Sequence, residues 1–137
     1  MLDEVLGYHL AQATVVTQDS FTRHIGDPLA MRKVEFSLLM LLQTNGPLSP
    51  KRLGQVLALS APNLSLLLDR LQQRNLIHRE RSANDGRSQN IVLTAAGQQL
   101  ADQGAAAAAP MEAELANRLS RAERLMLIEL LGKVALR

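Results

Sequence analysis

The chain has 137 residues, of which 47% are hydrophobic and 2% aromatic, with no cysteine and a net charge of +2. This length predicts one ordinary domain, and the lack of cysteine excludes disulfides, thiolate metal sites and cysteine-based redox sensing. No apolar run reaches membrane length, and the first ten residues carry two acids, so we expect a cytoplasmic protein without a signal peptide or a membrane partner.

The charge is distributed unevenly along the chain. Residues 1–28 carry −3, residues 29–94 hold nine bases against four acids, and residues 95–137 balance at five each. A basic segment between acidic and neutral flanks indicates a surface that binds a polyanion. Ordinary solvated surface charge is the alternative interpretation.

The first half of the chain predicts three helices. Apolar residues recur at helical spacing from Leu2 until Gly-Asp-Pro at 26–28, which should end the first helix. A second helix is predicted from about Arg32 to Gln43. A third, short helix follows, with Ser49 as its N-cap and Pro50 at its first position, where the missing N–H is tolerated.

The middle of the chain predicts a helix pair followed by a hairpin. Ser60 caps a fourth helix that carries a leucine stripe (Leu64, Leu67, Leu68, Leu71), and Asn75 ends it because asparagine tolerates a left-handed helix terminus. Strands are predicted over 77–81 and 90–93. The Asp-Gly pair between them is a strong hairpin signal. Together these elements predict a winged helix-turn-helix, with the hairpin as its wing.

The C-terminal part predicts two more helices and a dimer. Thr94 caps a helix that Pro110 should kink or break in two, and Ser120 with Glu123 forms a capping box for the last helix. The last helix carries more apolar surface than a small monomer hides. The predicted fold is therefore mainly α with a small β-wing. A single domain places a DNA-binding lobe at 29–94 and dimerisation helices at 1–28 and 95–137.

Four short motifs give the chain a family resemblance. They are Leu-Asp-Arg-Leu at 68–71, Leu-Ile-x-Arg at 76–79, Asp-x-Arg at 85–87 and Leu-Thr-x-x-Gly at 93–97. In this order and spacing they closely resemble the multiple-antibiotic-resistance-regulator (MarR) family of bacterial transcription factors, over nearly the whole chain. Two positions depart from the family pattern. Asn75 stands where the family often has glycine, and Gly86 replaces a basic residue in the wing.

The resemblance implies a function. Family members are homodimers that place each recognition helix in the major groove and each wing in the minor groove of a palindromic double-stranded operator. A small effector, often an aromatic carboxylate or a phenol, alters their affinity for DNA. We therefore expect a ligand-responsive regulator, most simply a repressor that its effector releases from DNA.

Candidate base contacts follow from the predicted burial of the recognition helix. The leucine stripe leaves the opposite side free, and the N-terminal part of such a helix meets base edges. An amide such as Asn63 can pair with adenine, and Leu66 can meet a thymine methyl group. The alternative for each residue is an ordinary solvent-facing position. The candidates are Ser60, Pro62, Asn63, Ser65, Leu66 and Arg70.

Other charged residues are candidates for backbone and minor-groove contacts. Arg87 at the hairpin tip has the reach and planar shape to enter a minor groove. The resemblance implies that Asp85 pairs with Arg87 or a neighbouring basic residue and holds it in position, and an ordinary turn with a solvated arginine is the alternative. Asp69 and Arg70 could instead pair within the fold. The phosphate-contact candidates are Lys51, Arg52, Arg74, Arg79 and Arg81.

The effector candidates come from the cleft that the resemblance implies between the dimer helices and the DNA-binding lobe. A cationic or imidazole group could receive a carboxylate, and Phe36 could cover a ring. The alternative places Tyr8 and Phe36 in the core and leaves the histidines in local hydrogen bonds. The candidates are Tyr8, His9, His24, Arg32, Phe36, Met40 and Met111.

Other functional classes lack their characteristic residues. The chain has no glycine-rich phosphate loop, no Gly-x-Ser-x-Gly motif and no His, Asp and Glu spacing typical of a metal site. We therefore expect no enzyme activity, no metal and no cofactor. The alternative function is a winged-helix module that binds protein and has no specific DNA target.

Overall fold

The computed structural model of the protein describes residues 1–82, 86 and 88–137. Most of the chain is helical, and β1 and β2 form a two-stranded antiparallel sheet. The predicted fold class, mainly α with a small β-wing, is confirmed. The elements are α1 (Leu6–Phe21), α2 (Asp27–Leu29), α3 (Lys33–Asn45), α4 (Pro50–Leu57), α5 (Ala61–Gln73), β1 (Ile77–Arg81), β2 (Gln89–Leu93), α6 (Ala95–Ala116) and α7 (Arg121–Val134).

Four helices begin at the capping residues that the sequence predicts. In each, a hydroxyl oxygen accepts a hydrogen bond from the backbone N–H three residues later, which satisfies one of the free donors of the first turn. The pairs are Ser49 with Arg52 (3.1 Å), Ser60 with Asn63 (3.4 Å), Thr94 with Gly97 (3.0 Å) and Ser120 with Glu123 (3.1 Å).

The predicted end of the first helix at residues 26–28 is wrong. The chain continues from α1 through a π-helical turn, Thr22–Gly26, into α2. Pro28 does not stop it, because proline in the first turn of a helix sacrifices no hydrogen bond. The helical path ends instead at Ala30, which adopts a left-handed conformation with φ of 49°. A short connector, residues 30–32, then leads into α3.

The prediction that Pro110 could break its helix in two is also wrong. Helix α6 runs unbroken through Pro110 for 22 residues. Five alanines precede the proline, and alanine has the highest helix propensity. Their backbone hydrogen bonds hold the helix together across the one donor that proline lacks.

Most of the hydrophobic core lies in the winged lobe, and Phe21, Ile25 and Ala101 of the flanking segments complete it. It contains the predicted leucine stripe of α5 together with fully buried side chains from α3, α4 and the strands, among them Leu38, Leu39, Leu53, Ile77 and Ile91. The wing is anchored to it on two sides. Leu48 and Ile91 exchange backbone hydrogen bonds of 3.3 and 2.7 Å, and Gly97 of α6 lies so close to Leu76 that a Cβ would approach its carbonyl oxygen to 1.9 Å.

Helix α7 lies outside this core, and α1 and α6 each bury one apolar side chain in it, Phe21 and Ala101. None of the 14 residues of α7, all of which the structure describes, is buried. Helix α1 buries only Ser20 and Phe21 at its C-terminal end. No helix in the described part of the chain is long and apolar enough to cross a membrane.

Candidate DNA-binding surface and effector sites

The N-terminal half of α5 presents an exposed polar and apolar face. Pro62, Asn63, Ser65 and Leu66 are exposed on the side opposite the buried leucine stripe, and Leu66 is 63% exposed. Ser60 fixes the first turn through its cap, so its hydroxyl is engaged in the fold. An amide, a hydroxyl and an isobutyl group on one helix face match the groups that read base edges in a major groove.

Helix α4 places basic side chains beside this face. Lys51 and Arg52 are both exposed in its first turn. A cleft of about 560 Å³ separates α4 from α5, and its lining includes Lys51, Ser65 and Arg79. The fold therefore brings one candidate from each of α4, α5 and the wing to the same cleft.

The side chain of Arg79 ties the wing to the recognition helix. Its guanidinium donates to Asp69 at 3.1 Å and to the Gln72 side-chain oxygen, both on α5. Asp69 thus pairs within the fold, and these two bonds use donors that a phosphate contact would need. Arg70 is partly buried on the same helix, and Arg81 is exposed at the end of β1.

The wing tip carries two predicted residues, Asp85 and Arg87, that lie outside the described residues. The strands that lead to it are in the predicted positions, with Ile77 paired to Leu93 and Arg81 paired to Gln89. Exposure increases along β1, from Ile77, which is buried, to Arg81, which is exposed.

Arg74 occupies a different environment from the one predicted for a phosphate contact. Its guanidinium donates at 3.3 Å to Glu35 of α3, a carboxylate that is only 2% exposed. Sequence reasoning missed Glu35. A signal was present, because this acid stands at a helix position between Val34 and the buried Leu38 and Leu39, where an apolar residue is expected.

The seven effector candidates fall in separate places within the protomer. Phe36 and Met40 line a cleft of about 440 Å³ between α3 and α4. The Phe36 ring also packs against Phe21, with centroids 5.7 Å apart. Met111 packs partly buried against the core, and Arg32 is exposed at the start of α3. Phe36 and Met40 are thus the candidates that share a cleft.

The other candidates near the N-terminus make local contacts. Tyr8 is 38% exposed, so the alternative that places it in the core does not describe this protomer. The His9 ring lies edge-on to it at 5.4 Å, and His9 Nε2 lies 2.9 Å from the Asp3 carbonyl oxygen. This end of α1 is remote in sequence from the Phe36 cleft and forms an exposed surface.

His24 belongs to a cluster of four residues that is centred on the Glu114 carboxylate. Glu114 of α6 accepts hydrogen bonds from Arg23 at 2.5 Å, His24 at 2.7 Å and Ser20 at 3.3 Å. The Arg23 guanidinium, and then the His24 ring, stabilise the carboxylate and lower the pKa of Glu114 to about 2. The same pairing raises the pKa of Arg23. The cluster fastens α6 to the end of α1.

Comparison with known proteins identifies the family of this chain. The family model described as MarR family matches residues 32–89. The transcriptional repressor CouR, in a structure bound to a 23-mer DNA duplex, is similar over 98% of this chain and 95% of its own, with 31% sequence identity and a TM-score of 0.89. The chain belongs to the MarR family.

Two further proteins are similar to this MarR-family chain. The organic hydroperoxide resistance transcriptional regulator of Bacillus subtilis (strain 168) is 37% identical over 71 residues, which are 52% of this chain and 48% of that protein. The chain spans about half the length of the curated relatives that it matches. NadR in complex with 4-hydroxyphenylacetate is 27% identical, with a TM-score of 0.78 over 93% of this chain and 89% of its own.

The Glu114 cluster of this MarR-family chain is built around an ion pair. In the described ranges, no three His, Cys, Asp or Glu side chains are grouped so that they could hold a metal ion. The Glu114 cluster has one carboxylate facing a guanidinium, and a guanidinium repels a cation. Its charge is therefore already balanced by a protein side chain.

Proposed function

We propose that this protein is a transcriptional regulator that binds a specific double-stranded DNA operator. The observation that carries the proposal is the exposed N-terminal face of α5, where Asn63, Ser65 and Leu66 stand beside the basic first turn of α4. The similarity to CouR bound to a DNA duplex supports it. Base-reading groups on a rigid helix, flanked by cations for the phosphates, are what sequence-specific binding needs.

The proposed active form is a homodimer. Helix α7 exposes a continuous apolar surface, which includes Leu125, Met126, Ile128 and Leu130, each at least 47% exposed. Beside it, α1, α6 and α7 enclose an apolar groove of about 390 Å³. A two-fold axis would bring two such surfaces together. In this proposal, residues 29–94 bind DNA and residues 1–28 and 95–137 form the dimer.

The proposed operator is an inverted repeat. A two-fold dimer presents two recognition helices to half-sites about one helical turn, ~34–36 Å, apart. Arg87, held by Asp85, would enter the adjacent minor groove from each wing, where the electronegative potential favours a guanidinium. Bound across a promoter, such a dimer excludes polymerase, so the proposed action is repression.

The proposed signal is a small aromatic carboxylate or phenol. The cleft beside Phe36 and Met40 offers an aromatic and a thioether surface for a ring. The exposed guanidinium of Arg32, four residues before Phe36, is a partner for a carboxylate. The similarity to NadR in complex with 4-hydroxyphenylacetate supports this ligand class. Binding would release the dimer from its operator.

Selection of duplexes from a random library tests the proposal. The protein should enrich one sequence, and fluorescence anisotropy should give an affinity for it at least ~1,000-fold above that for a scrambled duplex. 4-Hydroxyphenylacetate, added to the complex as a first probe, should lower the operator affinity. Failure to enrich any sequence would favour a winged-helix module that binds protein.

A further inference from the structure

A buried carboxylate links the connector at residues 30–32 to the recognition helix. Among the described residues, Glu35 is the one charged side chain that is buried. Its Oε1 accepts the backbone N–H of Arg32 at 2.8 Å, and its Oε2 accepts the guanidinium of Arg74 at 3.3 Å. One carboxylate therefore uses its two oxygens to hold two different elements of the fold.

We propose that Glu35 and Arg74 are a positioning pair, which fixes the recognition helix in the orientation that sequence-specific DNA binding requires. The inference rests on the proposed DNA-binding function and adds two residues that do not touch the base edges. Arg74 acts in this pair as an anchor for α5 and not as a phosphate contact.

The cost of burying the Glu35 carboxylate argues for a role beyond stability. The Glu35 side chain is 3% exposed, whereas the Arg74 side chain that pairs with it is 35% exposed. A buried carboxylate loses hydration that such a partner only partly restores, and an apolar residue of similar volume often stabilises a core equally well. An apolar side chain would suit the position of Glu35, because Leu38 and Leu39 of α3 are completely buried one turn further on. A hydrogen-bonded pair also restricts the relative orientation of the two elements that it joins, because hydrogen bonds form only in a narrow range of distances and angles.

The position of Arg74 on the helix makes it an effective anchor. Arg74 is the C-terminal capping residue of α5, whereas the base-reading candidates lie in the first two turns. The helix is rigid, with a rise of about 1.5 Å per residue, so fixing one end limits the tilt and rotation of the other. Arg79 holds the same helix through Asp69 and Gln72 from the wing side. The pair restrains it from the α3 side.

The other end of the pair lies at the beginning of α3. Glu35 accepts a hydrogen bond from the backbone N–H of Arg32, which belongs to the connector. Phe36, the residue after Glu35, lines the cleft between α3 and α4. A shift of the connector changes the geometry at Oε1 and, through the same carboxylate, the geometry at Arg74. The pair thus provides a direct covalent and hydrogen-bonded route from α3 to the C-terminus of α5.

The test compares Glu35→Gln and Arg74→Met on two DNA molecules. One is the duplex that the wild-type protein selects from a random library, and the other is its scrambled form. In Glu35→Gln the amide oxygen can still accept the Arg32 N–H, but the amide nitrogen cannot accept from Arg74. We expect both variants to bind the selected duplex about tenfold more weakly, the size of effect that loss of a base contact gives. Affinity for scrambled DNA and the salt dependence should not change.

A double variant and a matched arginine complete the experiment. If the two residues act as one unit, Glu35→Gln with Arg74→Met should lose no more affinity for the selected duplex than either single change. Arg81→Met, at an exposed strand position, is the control for a phosphate contact. It should weaken both duplexes alike and lower the salt slope by about one.

Three outcomes would overturn the positioning role. Arg74→Met could behave like Arg81→Met, which would make Arg74 a phosphate contact. Glu35→Gln, shown to be folded by circular dichroism, could bind the selected duplex as tightly as the wild type does. That result alone would overturn the positioning role, even if Arg74→Met fails to fold. The double variant could lose the sum of the single effects. In each case the wild type still selects a duplex, so the proposed DNA-binding function stands, whereas a wild type that selects none overturns both.

Discussion

The winged lobe and the terminal helices use similar residues in opposite ways. Four of the five leucines of helix α5, Leu64, Leu67, Leu68 and Leu71, are at most 5% exposed. Helix α7 has seven large apolar residues and buries none of them within the protomer. The lobe therefore completes its core inside one chain, whereas α7 needs a second surface to remove its apolar side chains from water. In the proposed function, the lobe binds DNA and the terminal helices form the dimer.

The largest expected effect lies in the core of the lobe. Leu71 is fully buried, so Leu71→Ala should lower the free energy of unfolding by about 2–5 kcal/mol, through lost transfer energy and the cavity left behind. Urea unfolding at several protein concentrations measures it. The control is Leu130→Ala in α7, whose effect should grow with protein concentration because Leu130 would be buried only in the proposed dimer. If both changes lowered the free energy of unfolding equally at every protein concentration, the proposed difference between the two regions would be wrong.

The next effect concerns assembly. Ile128 is 54% exposed in the middle of α7. Ile128→Glu should weaken the dimer by about 100-fold or more, because a two-fold interface contains each side chain twice and each buried isoleucine contributes about 1.5–3 kcal/mol. Light scattering at micromolar concentration should report a monomer that keeps the helical circular dichroism of the wild type. Glu129→Gln is the control and should remain a dimer. A wild-type monomer would refute the assignment.

The fold was predictable where one short segment determines the outcome. Caps such as Ser49 and Thr94 act over three residues, and the two strands lie within one residue of the ranges that their flanking turn residues predict. The helix end expected at residues 26–28 is not observed, and Pro110, which was expected to kink its helix or break it in two, does not break it. In both places the neighbouring turns supply enough hydrogen bonds to carry the helix through the breaker residue.

The sites were predictable only in part, for a related reason. The exposed face of α5 follows from its periodicity, so Asn63, Ser65 and Leu66 could be named in advance. Contacts between distant segments could not be. Glu35 and Arg74 are 39 residues apart, and His24 and Glu114 are 90 apart. No local pattern encodes such partners, and the effector candidates were scattered because they depended on a cleft that one sequence cannot position.

A smaller effect sharpens the DNA-binding side of the comparison. Asn63→Ala should cost about 1–3 kcal/mol on the preferred operator and much less on random duplex, since an amide at a base edge senses sequence. The Ser60 cap should survive, because it uses the backbone N–H of Asn63.

The matched change on the phosphate side is Lys51→Ala. It should weaken operator and random duplex alike and reduce the salt slope by about one, because the backbone charge is the same at every sequence. Binding isotherms at several salt concentrations distinguish the two residues. If Asn63→Ala lowers both affinities equally, Ser65 or Leu66 becomes the better candidate for base contact.

The smallest effect concerns the ion pair that joins α1 to α6. The pKa of Glu114 is lowered from its ordinary value of 4.5 to about 2, chiefly by Arg23. A carboxyl group with a depressed pKa stabilises the fold above its ordinary value, and this contribution disappears as pH falls through the folded-state value. The difference in Tm between wild type and Glu114→Gln should therefore be present above pH 4.5 and shrink to zero near pH 2. A difference that persists at the acid end would show that the pair does not act through its charge.

The most direct test of the account is a footprint of the wild-type protein on the duplex it selects. A dimer assembled through its terminal helices, with two complete lobes, predicts two protected half-sites in inverted orientation, with centres about one helical turn, ~34–36 Å, apart. The mass of the same complex, measured by sedimentation, should correspond to two protomers for each duplex. A single asymmetric half-site occupied by one protomer would contradict it.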